Sequence, residues 1–200
     1  MDSAELKLQP NQIVSAVRSS TLYQSDLYHA RNYALNSHLE CKFVGGKYHN
    51  GTSQTSTSTI SYSVSDELFE HSNEGASLRL SVDILRSSVD AASASAVNVY
   101  SGLFIYFTYL NANGQETVSG LGYYLRTTDS DFHATDDTWV RLSKGPIDLS
   151  QYNPISIDYV GIGVANVSGS TGTVQFKNLK VEVSNGFTAW SAAPEDLCDV

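Results

Sequence analysis

The chain has 200 residues, 41% of them hydrophobic, which is enough for one good core and too much for wholesale disorder. Only 16% are charged and 43 are Ser or Thr, and the net charge of −9 argues against electrostatic binding of nucleic acid or anionic membrane. No apolar run reaches the ~18 residues of a membrane-spanning helix. No basic-then-apolar leader follows Met1, and Cys41 and Cys198 make neither a disulfide framework nor a zinc site.

Twelve Tyr and seven Phe, against one Met and four Pro, favour strands over helices. Residues 1–30 read differently, as a linker or stem. Pro10 suits a first helical turn, and Ile13, Val14 and Val17 make one short apolar stripe. From Asn32 the pattern is β. Residues 53–59 are Ser/Thr-rich and predict a loop or exposed edge. Residues 59–69 alternate, with Ile60, Tyr62, Val64 and Leu68 on one face. Residues 76–86 alternate more cleanly, with Leu78, Leu80, Val82 and Ile84 inward and Arg79, Ser81 and Asp83 outward. Residues 87–96 predict a long loop. Residues 97–110 are apolar on both faces, as in a central strand covered on both sides. Asn111-Ala112-Asn113-Gly114 is a turn, and 117–127 is its return strand. After a polar, acidic loop at 128–137 come strand pieces at 138–142 and 147–149, around Gly145-Pro146. Residues 155–164 and 173–183 read as a last hairpin. Eight or nine short strands with little helix predict an all-β fold, an antiparallel two-sheet sandwich of the jelly-roll kind.

Motifs of catalysis are scarce. There is no Gly-x-Ser-x-Gly, His-Glu-x-x-His, phosphate-binding loop or dinucleotide fingerprint. His29, His38, His49, His71 and His133 are scattered, and their spacing supports no metal site. The loop from Asp129 to Asp137 offers calcium several hard oxygens, but His133 and Ala134 stand where an EF-hand loop wants Asp or Asn and then Gly. A solvated acidic loop and no cofactor are the expectation. Asp83, Asp158 and Glu182 sit on strands, but a glycosidase would need two carboxylates facing each other across a cleft. No enzyme is expected.

The two ends of the β region are more informative. Arg31-Asn32-Tyr33-Ala34-Leu35-Asn36-Ser37 opens it. Phe187-Thr188-Ala189-Trp190-Ser191-Ala192-Ala193-Pro194-Glu195-Asp196 closes it, after the strand holding Lys180 and Glu182. This pairing resembles the carbohydrate-binding-module-like jelly rolls of bacteriophage tail and baseplate proteins. Thr138-Trp139-Val140-Arg141-Leu142 resembles the strand after their variable loop. The resemblance covers about residues 31–196. It departs where Val181-Glu182-Val183 replaces Leu-Glu-Lys, and at Ala193. The leader from Ala4 to Arg18 looks like the linkers that precede such modules, so the division is a stem at 1–30, a sandwich at 31–197 and a tail at 198–200. Reduced thiols are the expectation for a virion protein made in the host cytoplasm.

The resemblance implies a non-catalytic module that attaches a phage tail to saccharide on the bacterial cell wall or surface, beside other tail and baseplate proteins. Self-association would run through residues 4–28. The alternatives are a tail spacer or assembly module that binds no sugar, and an accessory domain of a secreted glycoside hydrolase or adhesin. Sugars are held by aromatic faces and a few polar groups. On 117–127, Gly120, Gly122, Tyr124 and Arg126 share one face. Tyr159, Gly161 and Gly163 repeat the pattern, and Tyr106 joins them across the hairpin. The candidate groove is therefore Arg79, Asp83, Tyr106, Tyr124, Arg126 and Tyr159. Trp139 and Trp190 are read as structural.

Overall fold

The computed structural model describes residues 31–38, 40–50, 53–54, 58–72, 77–87, 100–126, 137–165 and 172–197. The expected stem, the acidic loop up to residue 136 and Cys198 lie outside them. In chain order the strands are β1 Cys41–Val44, β2 Lys47–Asn50, β3 Ser53–Gln54, β4 Thr59–Ser63, β5 Ser77–Ser87, β6 Tyr100–Leu110, β7 Glu116–Arg126, β8 Val140–Ile147, β9 Pro154–Ala165 and β10 Thr173–Ser184. One short helix, α1 Glu67–Ser72, lies between β4 and β5.

These strands form two antiparallel sheets, ordered β3-β2-β1-β10-β5-β8 and β4-β9-β6-β7. The sheets pack face to face as a jelly-roll sandwich. Period-2 alternation explains why. On β5, Leu78, Leu80, Val82 and Ile84 are all buried. They meet Leu103, Ile105 and Phe107 of β6 and Val160 and Ile162 of β9 in one core. Each such side chain contributes about 1.5–3 kcal/mol on burial. The β6–β7 hairpin turns at Asn111–Gly114, where the Gly114 N–H donates to the Asn111 carbonyl (2.8 Å) and Gly114 takes a φ of 73°.

Four expectations are corrected. The strand expected over 59–69 stops at Ser63, with Val64 left as an isolated bridge to Ala34. The chain then turns, the Leu68 N–H donating to the Ser65 carbonyl, and Leu68 reaches the core from α1. In place of the pieces expected at 138–142 and 147–149 there is one strand, β8, from Val140 to Ile147 through Pro146. β8 is a sheet edge, where a missing N–H is tolerated. The hairpin expected from 155–164 and 173–183 does not form. β9 pairs with β4 and β6, and β10 with β1 and β5, so the chain crosses from one sheet to the other. Finally, the outer face of β6 carries aromatic rings lying over glycines, with no further layer among the described residues.

The opening and closing stretches bind each other. The Asn32 side chain donates to Ser37 Oγ (2.9 Å) and the Leu179 carbonyl (3.0 Å), and accepts from the N–H groups of Ala34 (3.0 Å) and Val181 (2.9 Å). Arg31 pairs with Glu67 (2.7 Å) and with Glu195. The Asn36 N–H donates to the Asp196 carboxylate (2.9 Å). The returning segment covers the outer face of β10. There Thr188 Oγ1 donates to Glu182 (2.5 Å) and accepts from Lys180 (2.5 Å), and Trp190 Nε1 donates to the Leu179 carbonyl (3.2 Å). The sequence stretches that carry the family resemblance thus form a latch between the two ends of the β region.

Candidate functional site

The inner face of the four-stranded sheet is filled by the core, so its outer face is where surplus aromatic residues stand out. Register sets the pattern there. Tyr106 lies opposite Gly120 on one side and Tyr159 on the other. Phe104 lies opposite Gly122 and Gly161, and Gly102 opposite Tyr124 and Gly163. Each of these rows across β9, β6 and β7 therefore sets an aromatic ring beside at least one glycine. The glycines are needed because the rings lie down on them. A Cβ at Gly120 would stand 2.8 Å from the Tyr106 ring, one at Gly122 2.2 Å from the Tyr124 ring, and one at Gly161 2.2 Å from the Phe104 ring.

Tyr106 and Tyr159 stack, with centroids 4.5 Å apart and planes 21° from parallel, and Phe104 meets Tyr106 edge-on at 5.3 Å. Both geometries suit ring quadrupoles. Beside them a cleft of about 160 Å³ is lined by Ser58, Thr59, Phe104, Tyr106, Tyr124 and Gly163. Partial burial, then Tyr106 and the Asp158 carboxylate, push the Tyr159 phenol above its ordinary range, so its hydroxyl is protonated at neutral pH. Such a surface can hold the apolar face of a ring and bond to its substituents.

The six residues drawn together from the sequence divide between the two sheets. Tyr106, Tyr124 and Tyr159 share the outer face of the four-stranded sheet. Arg126 closes β7 at the register position opposite Tyr100. Arg79 and Asp83 are on β5 of the six-stranded sheet, and their outer face points to the opposite side of the sandwich. They also have partners. Asp83 accepts from Arg141 (3.0 Å) and Asn178 (2.7 Å), while Arg79 donates to the carbonyls of Ser184 (3.1 Å) and Asn185 (3.2 Å) and lies 5.0 Å from the centre of the Phe187 ring. A single groove of all six is excluded by this geometry. Asp83, Asp158 and Glu182 do not converge either. Trp190 anchors the closing segment, as expected. Trp139 is half-buried, with Lys177 Nζ 3.9 Å from its ring centre.

Two members of the face escaped the sequence reading. Phe104 has the same parity as Tyr106, and its ring faces Gly122 and Gly161; that parity was available as a signal. Asp158 was not foreseeable, because a register slip in β9 places it. A second cleft of about 250 Å³ lies between α1, the start of β5 and the end of β8, lined by Ser72, Ser77, Pro146, Asp148, Ser150 and Pro154. Hydrogen bonds from Ser150 hold Asp148 below its ordinary range. That cleft has no aromatic wall. Among the described residues no cluster of His, Cys, Asp or Glu is arranged to hold a metal ion, and no helix is long and apolar enough to cross a membrane.

No family model matches the chain, and no curated protein matches it in sequence. Among solved structures, it is similar to a chain of the tripod from the baseplate of bacteriophage Tuc2009, at 13% identity and a TM-score of 0.38; the match covers 84% of this chain and 60% of that one. It is similar to a family 30 carbohydrate-binding module at 11% identity and a TM-score of 0.38, covering 82% and 88% of the two chains. It is also similar to the family 11 module of a cellulosomal cellulase of Clostridium thermocellum, at 14% identity and a TM-score of 0.32, covering 79% and 89%.

Proposed function

We propose that the protein is a non-catalytic carbohydrate-binding module of a phage tail, attaching the virion to saccharide on the bacterial surface, and that the outer face of β9, β6 and β7 is its sugar platform. The observation that carries the sugar reading is the Tyr106–Tyr159 stack, with Gly120 beneath the Tyr106 ring. Neither ring belongs to the core cluster, and Gly120 beneath Tyr106 lets that ring lie close to the sheet. Tyrosine offers a flat apolar face with a hydroxyl at low entropy cost. The phage assignment is supported by the opening and closing stretches of the sequence.

A multimeric fluorescent fusion incubated with Gram-positive cells and purified cell-wall polysaccharide tests this reading. Multimers are needed because avidity can raise weak binding by ~10²–10⁴-fold. Saturable binding competed by soluble polysaccharide is expected. Tyr106→Ala should weaken it about tenfold, in line with loss of an aromatic anchor. Unchanged binding in Tyr106→Ala and Tyr124→Ala would move the site elsewhere. No binding across a broad panel of strains would favour the spacer reading, to which the latch between the opening and closing stretches is suited.

A further inference from the structure

We infer that Asp158 is the selectivity residue of this platform, and that the platform takes a neutral sugar unit carrying two adjacent hydroxyls and rejects anionic polymers. The inference rests on the sugar-binding reading above. In β9 the register slips between the Tyr106–Tyr159 and Phe107–Ile157 pairs, leaving Asp158 as the extra residue. Such a bulge re-aims a side chain. Here it puts two consecutive residues on one face: Tyr159 stacks on Tyr106, and Asp158 bonds Thr108, which has the parity of Tyr106. A regular strand would have sent Asp158 to the other face.

The carboxylate is fixed by two hydroxyl donors. Ser156 Oγ donates to Oδ1 (2.6 Å), and Thr108 Oγ1 donates to Oδ2 (2.8 Å). An ionised carboxylate has about four acceptor positions and no donor. Two are filled, and no cation pairs with it among the described residues. One open position on each oxygen suits a pair of neighbouring sugar hydroxyls while the sugar ring rests on Tyr159.

Charge points the same way. The four strands of this sheet contain only three charged residues, Glu116, Asp158 and Arg126. Glu116 has the parity of Val118, which pairs with Thr108, so it shares the face and end of Asp158. Arg126 pairs with Tyr100, six positions along β6 from Tyr106, or roughly 20 Å at ~3.3 Å per residue. A phosphate or uronate at the tyrosine stack would meet the Asp158 carboxylate, and of the two other charges Glu116 is the nearer, since it pairs with Leu110, four positions along β6 from Tyr106, or roughly 13 Å.

The test titrates the full chain, as a multimer, against neutral probes (dextran, a galactan and a rhamnan) and anionic ones (poly(glycerol phosphate) and polygalacturonate). The wild type should bind at least one neutral probe tightest, and the anionic ones at least about tenfold more weakly. Asp158→Asn should lose about tenfold on the neutral probe, as for a hydrogen bond to a charged group. It should also narrow the gap to the anionic probes, which a purely structural role would not do. Asp158→Glu keeps the charge but shifts it, so it should keep the rejection of anions while losing affinity for the neutral probe. It decides the matter if Asp158→Asn does not fold. Neutral binding kept in both variants, or tightest binding of an anionic probe, overturns this inference. Binding lost in Tyr159→Ala but kept in Asp158→Asn overturns it while leaving the platform intact. A wild type that binds none of the probes overturns both.

Discussion

Lys180 and Glu182 are each only 1% exposed, yet both carry charge on the outer side of a sheet. Thr188 is the reason they are tolerated, because its N–H and hydroxyl donate to Glu182 while its oxygen accepts from Lys180. Lys180 also donates to the Ala189 carbonyl (2.7 Å). Burial pulls its ammonium below the ordinary range, and the Glu182 carboxylate works against that pull. Removing one member of such a pair leaves the other charge buried without its counter-ion. Lys180→Met should therefore lose about 3–5 kcal/mol in urea unfolding. The double variant Lys180→Met with Glu182→Leu should recover much of that loss, since no isolated charge remains. Equal loss in both would show that the pair matters through packing alone.

The aromatic platform depends at the level of strands on what lies beneath the rings. Gly161 on β9 sits under the Phe104 ring, and an added methyl would stand 2.2 Å from that ring and 2.6 Å from the Ile60 carbonyl. Neither the ring nor the neighbouring backbone can move without disturbing β4 or β6. Gly161→Ala should cost about 1–3 kcal/mol, as overpacking does. Gly186→Ala, with nothing within 4 Å, should stay within about 0.5 kcal/mol of wild type. Comparing the two denaturation midpoints checks this. The same strands show what was legible in the sequence. Alternation gave the inward residues of β5 and the shared parity of Tyr124, Gly122 and Gly120, because side-chain period is a local property. Parity names a face of a strand's own sheet but not which sheet that is. For this reason parity alone groups Arg79 and Asp83 with tyrosines that lie on the far side of the sandwich, and sets β9 beside β10. Leu68 departs from the strand pattern for another reason. It follows Val64 by four positions, a spacing that fits a strand face and a helix face alike, and Asp66 between them was the sign that alternation had ended.

For the molecule as a whole, the meeting of the opening and closing stretches at Arg31 links stability to pH. Partial burial works against the charge of Glu195, but its own backbone N–H, the Ser65 hydroxyl and the Arg31 guanidinium outweigh it and hold the carboxyl below its ordinary value of 4.5. A carboxyl depressed in the folded state contributes stability above its unfolded value and loses it as pH falls through the folded one. The thermal midpoint of the wild type should therefore exceed that of Glu195→Gln at pH 7. The gap should shrink only as the pH falls below 4.5. A gap that does not change with pH would mean that the residue acts through shape and not charge.

The same latch decides how the module bears a pull. Chain enters at Arg31 and leaves at Asp196 side by side, so traction between these points does not run along any strand. It falls first on the Arg31–Glu195 pair, the Asn36–Asp196 bond and the grip of Trp190 on the Leu179 carbonyl. These give way one after another, as in peeling, whereas strands drawn lengthwise must break their ladders together in shear. Tension along the flanking chain would strip the closing segment from β10 while both sheets, and the tyrosine face on the other side, stay assembled.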